Sequence, residues 1–183
     1  MTKPVGYLTN SLTGINGELG VFYNYILATD WIYLKAKNTH LAATVCIAPC
    51  EIRGLAPLKE DIQLLHGKIP LYFLNKALST LIITPDIEQY LAITWDESYR
   101  LKIPSQQATS ISVAYETLPD TVLAIHSHTG GVPAQFSPID DHDEQGFGLY
   151  GVIGDLRNLC PTVELRLGIH GYFLPLSQSE VFT

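Results

Sequence analysis

Midway through the C-terminal half of the chain, His126-Ser127-His128 follows an almost wholly apolar run, Thr121 to Ile125. Imidazoles at i and i+2 of a strand leave from one face, with Cα atoms about 6 to 7 Å apart, a span that one metal ion can bridge. Alone the pair is nonspecific, because histidines at a strand end commonly serve as ordinary hydrogen-bonded or surface groups. The segment after it adds a carboxylate: a flexible loop, Thr129 to Phe136, leads into Ser137-Pro138-Ile139-Asp140. If Asp140 turns back toward the strand end, two imidazoles and one carboxylate leave the fourth tetrahedral position of a zinc ion open to water, the mark of a catalytic site. Ser137 and Asp140 equally fit a capping box, with Ser137 as N-cap and Asp140 at the third helical position. Both readings claim the same side chains.

Such a site needs a buried strand to carry the histidines and a helix to carry the aspartate. Thr121 to Ile125 reads as a strand buried on both faces. Ser137-Pro138 has the form of an N-cap followed by proline at the first helical position, with Gly146 or Gly148 closing a short helix. Leu71, Leu74, Leu78, Leu81 and Ile82 recur at helical spacing between Pro70 and Ile83. Strand-like runs cover 88–95, 99–103, 111–115, 149–153 and 163–169. The last alternates Val163, Leu165, Leu167 and Ile169 with Glu164, Arg166 and Gly168. Nearer the N-terminus, Tyr23 to Ala28, Trp31 to Ala36 and Leu41 to Ala48 form a β-meander pattern. These elements predict an α+β chain: a β-rich N-terminal extension over 1–65, then a domain over 66–183 with a mixed, mainly antiparallel sheet flanked by helices.

Composition narrows the function classes. The chain has 183 residues, 46% of them apolar, and a net charge of −7, so it can bury a core and lacks the basic surface of nucleic-acid binders. Its apolar runs are too short to span a bilayer, and its start lacks the basic and apolar regions of a signal peptide, which predicts a cytoplasmic protein without membrane contact. Cys46, Cys50 and Cys160 contain no Cys-x-x-Cys pair and read as small core residues. Asp141, His142, Asp143 and Glu144 read as a solvated helix face favoured by the dipole. His40, His66 and His170 read as structural or exposed.

The spacing His126-Ser127-His128, eight residues, then Ser137-x-x-Asp140 resembles the JAMM motif of the MPN+ (JAB) metalloproteases, whose usual gap is one residue shorter. Gly151-Val152-Ile153-Gly154 and Leu165-Arg166-Leu167-Gly168 extend the resemblance to the prokaryotic JAB branch, most of all the PRTRC system protein A branch. Gly54-Leu55 and His66-Gly67-Lys68-Ile69-Pro70 are similar to the N-terminal extension found there. The resemblance implies a JAB/MPN-like, cytidine-deaminase-like domain in which His126, His128 and Asp140 bind Zn2+ and Ser137 helps to stabilise the reaction intermediate. It also implies an upstream glutamate as general acid/base. Glu88 follows the 70–83 helix and opens an apolar strand, where the family places that residue, whereas Glu97 and Glu116 lie beside turns and read as solvated. The implied function is metallopeptidase or isopeptidase hydrolysis of an amide bond in a protein or peptide, with a ubiquitin-like tail as the leading substrate. A non-catalytic MPN-type interaction module is the alternative. A zinc nucleobase deaminase would need a Pro-Cys-x-x-Cys element that this sequence lacks. No sequence feature assigns an oligomeric state.

Overall fold

The computed structural model describes residues 3–183, which divide into two compact units, the first ending at Gly67 and the second running over Lys68–Thr183. The chain is mixed α+β and dominated by sheet. No helix among the described residues is long and apolar enough to cross a membrane.

The first unit contains β1 (Val5–Ser11), β2 (Gly14–Glu18), β3 (Tyr23–Leu27), β4 (Trp31–Lys37), β5 (Leu41–Pro49) and β6 (Asp61–Leu64), in the sheet order β2-β1-β3-β4-β5-β6. The meander pattern corresponds to β3, β4 and β5, which pair antiparallel in sequence order. β1 adds to β3 in parallel and forms a hairpin with β2. One face buries Leu8, Ile26, Ala28 and Tyr33, with Cys46 and Leu58 packed against them. Cys46 and Cys50 are half-buried, but Cys160 is exposed, so the core assignment fails for that residue. It follows Asn158-Leu159 in a bend where Leu159 is exposed as well.

The second unit runs α1 (Leu71–Leu81), β7 (Tyr90–Trp95), β8 (Tyr99–Lys102), β9 (Gln106–Ala108), β10 (Val113–Tyr115), β11 (Thr121–Ser127), α2 (Pro138–Asp143), β12 (Phe147–Gly154), β13 (Thr162–Ile169), β14 (Tyr172–Leu176) and α3 (Gln178–Val181). Six of these strands form one sheet in the order β14-β13-β12-β11-β7-β8, while β9 and β10 pair separately. α1 begins after Pro70 and buries Leu74, Ala77 and Leu81, leaving Leu71 and Ile82 exposed, so the apolar stripe is offset from the leucine spacing. Its Phe73 meets Tyr99 of β8 edge to face.

β11 lies between β7 and β12 and buries Val122, Leu123 and Ile125, which accounts for its unbroken apolar run. It is antiparallel to β7 but parallel to β12. Parallel neighbours cannot be joined by a tight turn and need a crossover of a dozen or more residues. Here the crossover is the loop after His128 together with α2, so strand geometry requires the segment that carries Ser137 and Asp140. α2 ends at Asp143 with Glu144 as its C-cap, before either predicted glycine stop.

β7 begins at Tyr90, so Glu88 precedes the strand that it was expected to open. The local backbone donors are already used: Glu88 N–H donates to the Thr109 carbonyl at 2.9 Å, and Tyr90 N–H to Gln106 Oε1 at 2.8 Å.

Gly154, at the end of β12, lies against the crossover loop. A Cβ there would fall 2.2 Å from Ala134 N, 2.4 Å from Pro133 C and 2.5 Å from Val132 O, all of them backbone. Gly154→Ala is therefore expected to destabilise the protein by about 1–3 kcal/mol, the usual range for overpacking. An unchanged midpoint in urea denaturation would refute the tight packing of loop on strand.

Candidate metal centre

The strand period sets the geometry. His126 is the penultimate residue of β11, and His128 follows its end but keeps the ladder, donating its N–H to the Ile153 carbonyl at 2.8 Å. Two residues apart on an extended backbone, the imidazoles share a face, with ring centroids separated by 5.6 Å. Ser127 between them is fully buried. Its N–H donates to the Gln89 carbonyl at 2.9 Å, and its Oγ accepts from Gln89 N–H at 3.0 Å. The residue that separates the histidines thus fixes the segment next to Glu88.

At the start of α2 the capping reading of Ser137 and Asp140 is met, and one carboxylate oxygen of Asp140 stays outside it. Asp140 Oδ2 accepts from Ser137 N–H at 2.6 Å, and Ser137 Oγ accepts from Asp140 N–H at 3.3 Å, completing the capping box. Asp140 Oδ1 is not used by the box and lies 3.2 Å from His126 Nε2. Capping also engages only the acceptor side of the Ser137 hydroxyl, so its proton remains available for donation. The cap therefore occupies only one of the two carboxylate oxygens.

His126 Nε2 is buried and makes no hydrogen bond, since the nearby Asp140 oxygen does not meet hydrogen-bond geometry. An orphaned buried nitrogen is costly unless something else satisfies it. Around an ion with bonds near 2.0 Å, neighbouring ligands of a tetrahedron stand about 3.3 Å apart. The 3.2 Å between Nε2 and Oδ1 matches that edge. His128 Nδ1 lies 3.1 Å from the Pro133 carbonyl. A carbonyl can only accept, so this contact puts the proton on Nδ1 and leaves the Nε2 lone pair free for a metal. One ligand atom from each of His126, His128 and Asp140 lies within 4.8 Å of the others, and the donor set fits a divalent cation.

Glu88 and Ser137 line the same cleft of about 190 Å³ as these three residues, together with the apolar wall of Tyr90, Val113 and Tyr115. Tyr90 and Tyr115 stack face to face. Burial raises the Glu88 carboxyl above its ordinary range; His128 opposes the rise and Asp140 adds to it. Glu97 is exposed in the β7–β8 turn at φ 58°, and Glu116 is exposed beyond β10. Neither lines the cleft.

The acidic run after Asp140 is not uniformly solvated. His142 and Asp143 are exposed, but the Glu144 side chain is only 10% exposed and bonded to Arg166, which itself is buried. Burial raises Glu144 to about 7 despite Arg166. Strand alternation places Arg166 among polar outward residues, but the rings of Phe136 and Phe173 cover it. Four contributors escape a reading of motif spacing: Ser127, Pro133, Glu144 and Arg166. Only Ser127 had a signal, its fixed place between the histidines.

No protein-family model matches this chain, and no curated protein matches it.

Burial pushes the His126 imidazole down to about 4, overcoming the pull of Asp140, with His128 and Arg166 lowering it further. At neutral pH it is an uncharged lone-pair donor. In metal-free protein, an NMR titration is expected to give His126 a protonation midpoint near 4. A midpoint at or above the ordinary value of about 6.5 would contradict this burial.

Proposed function

We propose that this chain is a zinc-dependent metallopeptidase of the JAMM type, with a JAB/MPN-like second unit, that hydrolyses an amide or isopeptide bond of a protein substrate, the tail of a ubiquitin-like protein being the leading class. The observation that carries the reading is the buried, unbonded His126 Nε2 beside Asp140 Oδ1, with His128 in reach and Glu88 in the same cleft. His126, His128 and Asp140 would hold the ion.

Bound there, zinc would supply Lewis acidity, polarising the scissile carbonyl and making water acidic enough to lose a proton near neutral pH. Glu88 takes that proton on its carboxylate as the new C–O bond forms. It then delivers the proton to the leaving amine as the C–N bond breaks, so the water is fully divided between the products. Its raised pKa suits the exchange, since a base and acid in one group works best near the operating pH. Ser137, with its hydroxyl proton uncommitted, donates to the oxygen that gains negative charge, a contribution on the order of 3 kcal/mol for such a donor. The stacked rings of Tyr90 and Tyr115 form an apolar side of the cleft.

Metal analysis of protein equilibrated with zinc should find about one ion per chain, and the His126→Ala, His128→Ala double variant should bind none. Glu88→Gln should retain the ion but lose hydrolysis of a ubiquitin-like protein carrying a C-terminal fluorogenic amide by about 10²–10⁴-fold. A wild-type protein that takes up no zinc would refute the reading. Full activity in Glu88→Gln would remove Glu88 from its role.

A further inference from the structure

Behind the candidate ligands lies a buried ionic group that capping and core packing do not explain. Arg166, on β13, is 5% exposed. Its guanidinium carbon lies 3.8 Å from the ring centroids of both Phe136 and Phe173, so aromatic faces cover it on two sides. In its own plane it donates from Nε and NH2 to Glu144 Oε2, at 2.9 and 2.7 Å, and from NH1 to Asp141 Oδ1 at 2.5 Å. Burying such charges is costly, and a hydrophobic cluster of similar volume would serve stability as well or better. A role beyond packing is therefore the more economical explanation, and the geometry identifies what the group faces. Both Arg166 contacts to Glu144 fall on Oε2, leaving Oε1 directed toward His126, 3.9 Å from Nδ1.

An imidazole can present a lone pair at Nε2 only if its remaining proton is on Nδ1. His128 meets that condition through the Pro133 carbonyl. The Glu144 carboxylate faces His126 Nδ1 and favours the same tautomer there, at a distance that is electrostatic rather than a hydrogen bond, whereas Asp140 Oδ1, 3.2 Å from Nε2, favours the opposite tautomer as long as no cation lies between them. We propose that Glu144 is a positioning residue that sets the tautomer and ring orientation of His126 for metal capture, and that Arg166, clamped between Phe136 and Phe173, holds Glu144 in place. The proposal rests on the metal reading above and adds the residues that prepare one ligand.

Two readouts test it: 15N NMR of the His126 ring in metal-free protein, and zinc affinity by chelator competition. Metal-free wild-type protein should carry a measurable share of the His126 proton on Nδ1, held there by Glu144 in competition with Asp140. Glu144→Gln should redistribute it toward Nε2 and weaken zinc binding by about 10–100-fold, the usual effect of losing an outer partner of a ligand. Glu144→Asp, which keeps the charge, should recover part of the affinity. Should Glu144→Gln fail to fold, Arg166→Lys, which keeps a cation but breaks the two-pronged hold on Oε2, should shift both readouts in the same direction by a smaller amount. A tautomer ratio unchanged by Glu144→Gln, or zinc affinity within twofold of wild type in the folded variants, would overturn the proposal while leaving the metal site standing. A wild-type protein with no zinc affinity would overturn the metal reading itself, a distinguishable result.

Discussion

The parallel pairing of β11 with β12 is the constraint from which the site follows. An antiparallel neighbour could have been reached by a two-residue turn, and the chain would have had no reason to leave the sheet. Because it must cross over, the residues after His128 travel along the strand ends and return through α2, bringing Pro133, Ser137, Asp140 and Glu144 to the same end of the sheet as the histidines. The loop is held by more than its helix. Asp155 N–H donates to the Val132 carbonyl at 2.7 Å, Ala134 N–H to Thr162 Oγ1 at 2.8 Å, and Gly130 N–H to the Pro85 carbonyl at 2.6 Å. A segment without regular structure is thereby tied to β12, β13 and the approach to β7, the preorganisation that the proposed ligands would need.

Charge is distributed unevenly around that loop. Glu88, Asp140 and Glu144 converge on the histidines, while Arg166 is the permanent cation in direct contact with this cluster. Burial raises both Glu88 and Glu144, which is what low-dielectric surroundings do to carboxylates that lack full compensation. Asp140 shares its two oxygens between the helix cap and the His126 side. Concentrating carboxylates in this way disfavours the fold unless they gain a cation, and under the proposed function zinc supplies it. Metal binding and local stability would then be linked, since a site occupied only in the folded state stabilises that state.

Much of this arrangement was legible in the sequence because it depends on local periodicity. The apolar run of β11, the i and i+2 histidines, the Ser-Pro entry to α2 and the β3–β5 meander all follow from rules that operate over a few residues. What was not legible depends on tertiary partners. Arg166 occupies a polar position in a strand alternation, and only Phe136 and Phe173, distant in sequence or across a hairpin, make it a buried residue. Glu144 looked like one more acid at a solvated helix end until Arg166 met it. β14 was missed because it is joined to β13 by His170-Gly171, both at positive φ, 48° and 93°, a two-residue turn without the usual Asn-Gly or Asp-Gly signal. β7 starts late because β9 and the turn beyond it take backbone donors that a ladder would have used.

The same strand period that aligns the candidate ligands also couples them to the proposed base. In His126-Ser127-His128 the outer side chains face the cleft, and the middle one must face the opposite side, where it is fully buried and bonded to both backbone groups of Gln89. Glu88 is the neighbour of that residue, so its carboxylate enters the cleft from a backbone anchored to the strand that presents the imidazoles. A one-residue slip of β11 would turn both histidines into the core and the serine into the cleft, and would release the Gln89 segment at the same time. Placement of the candidate ligands and placement of the proposed base therefore cannot drift independently. They are consequences of a single register, set by Leu123, Ile125 and their partners in β7 and β12, and the apolar core below the cleft fixes the chemistry above it.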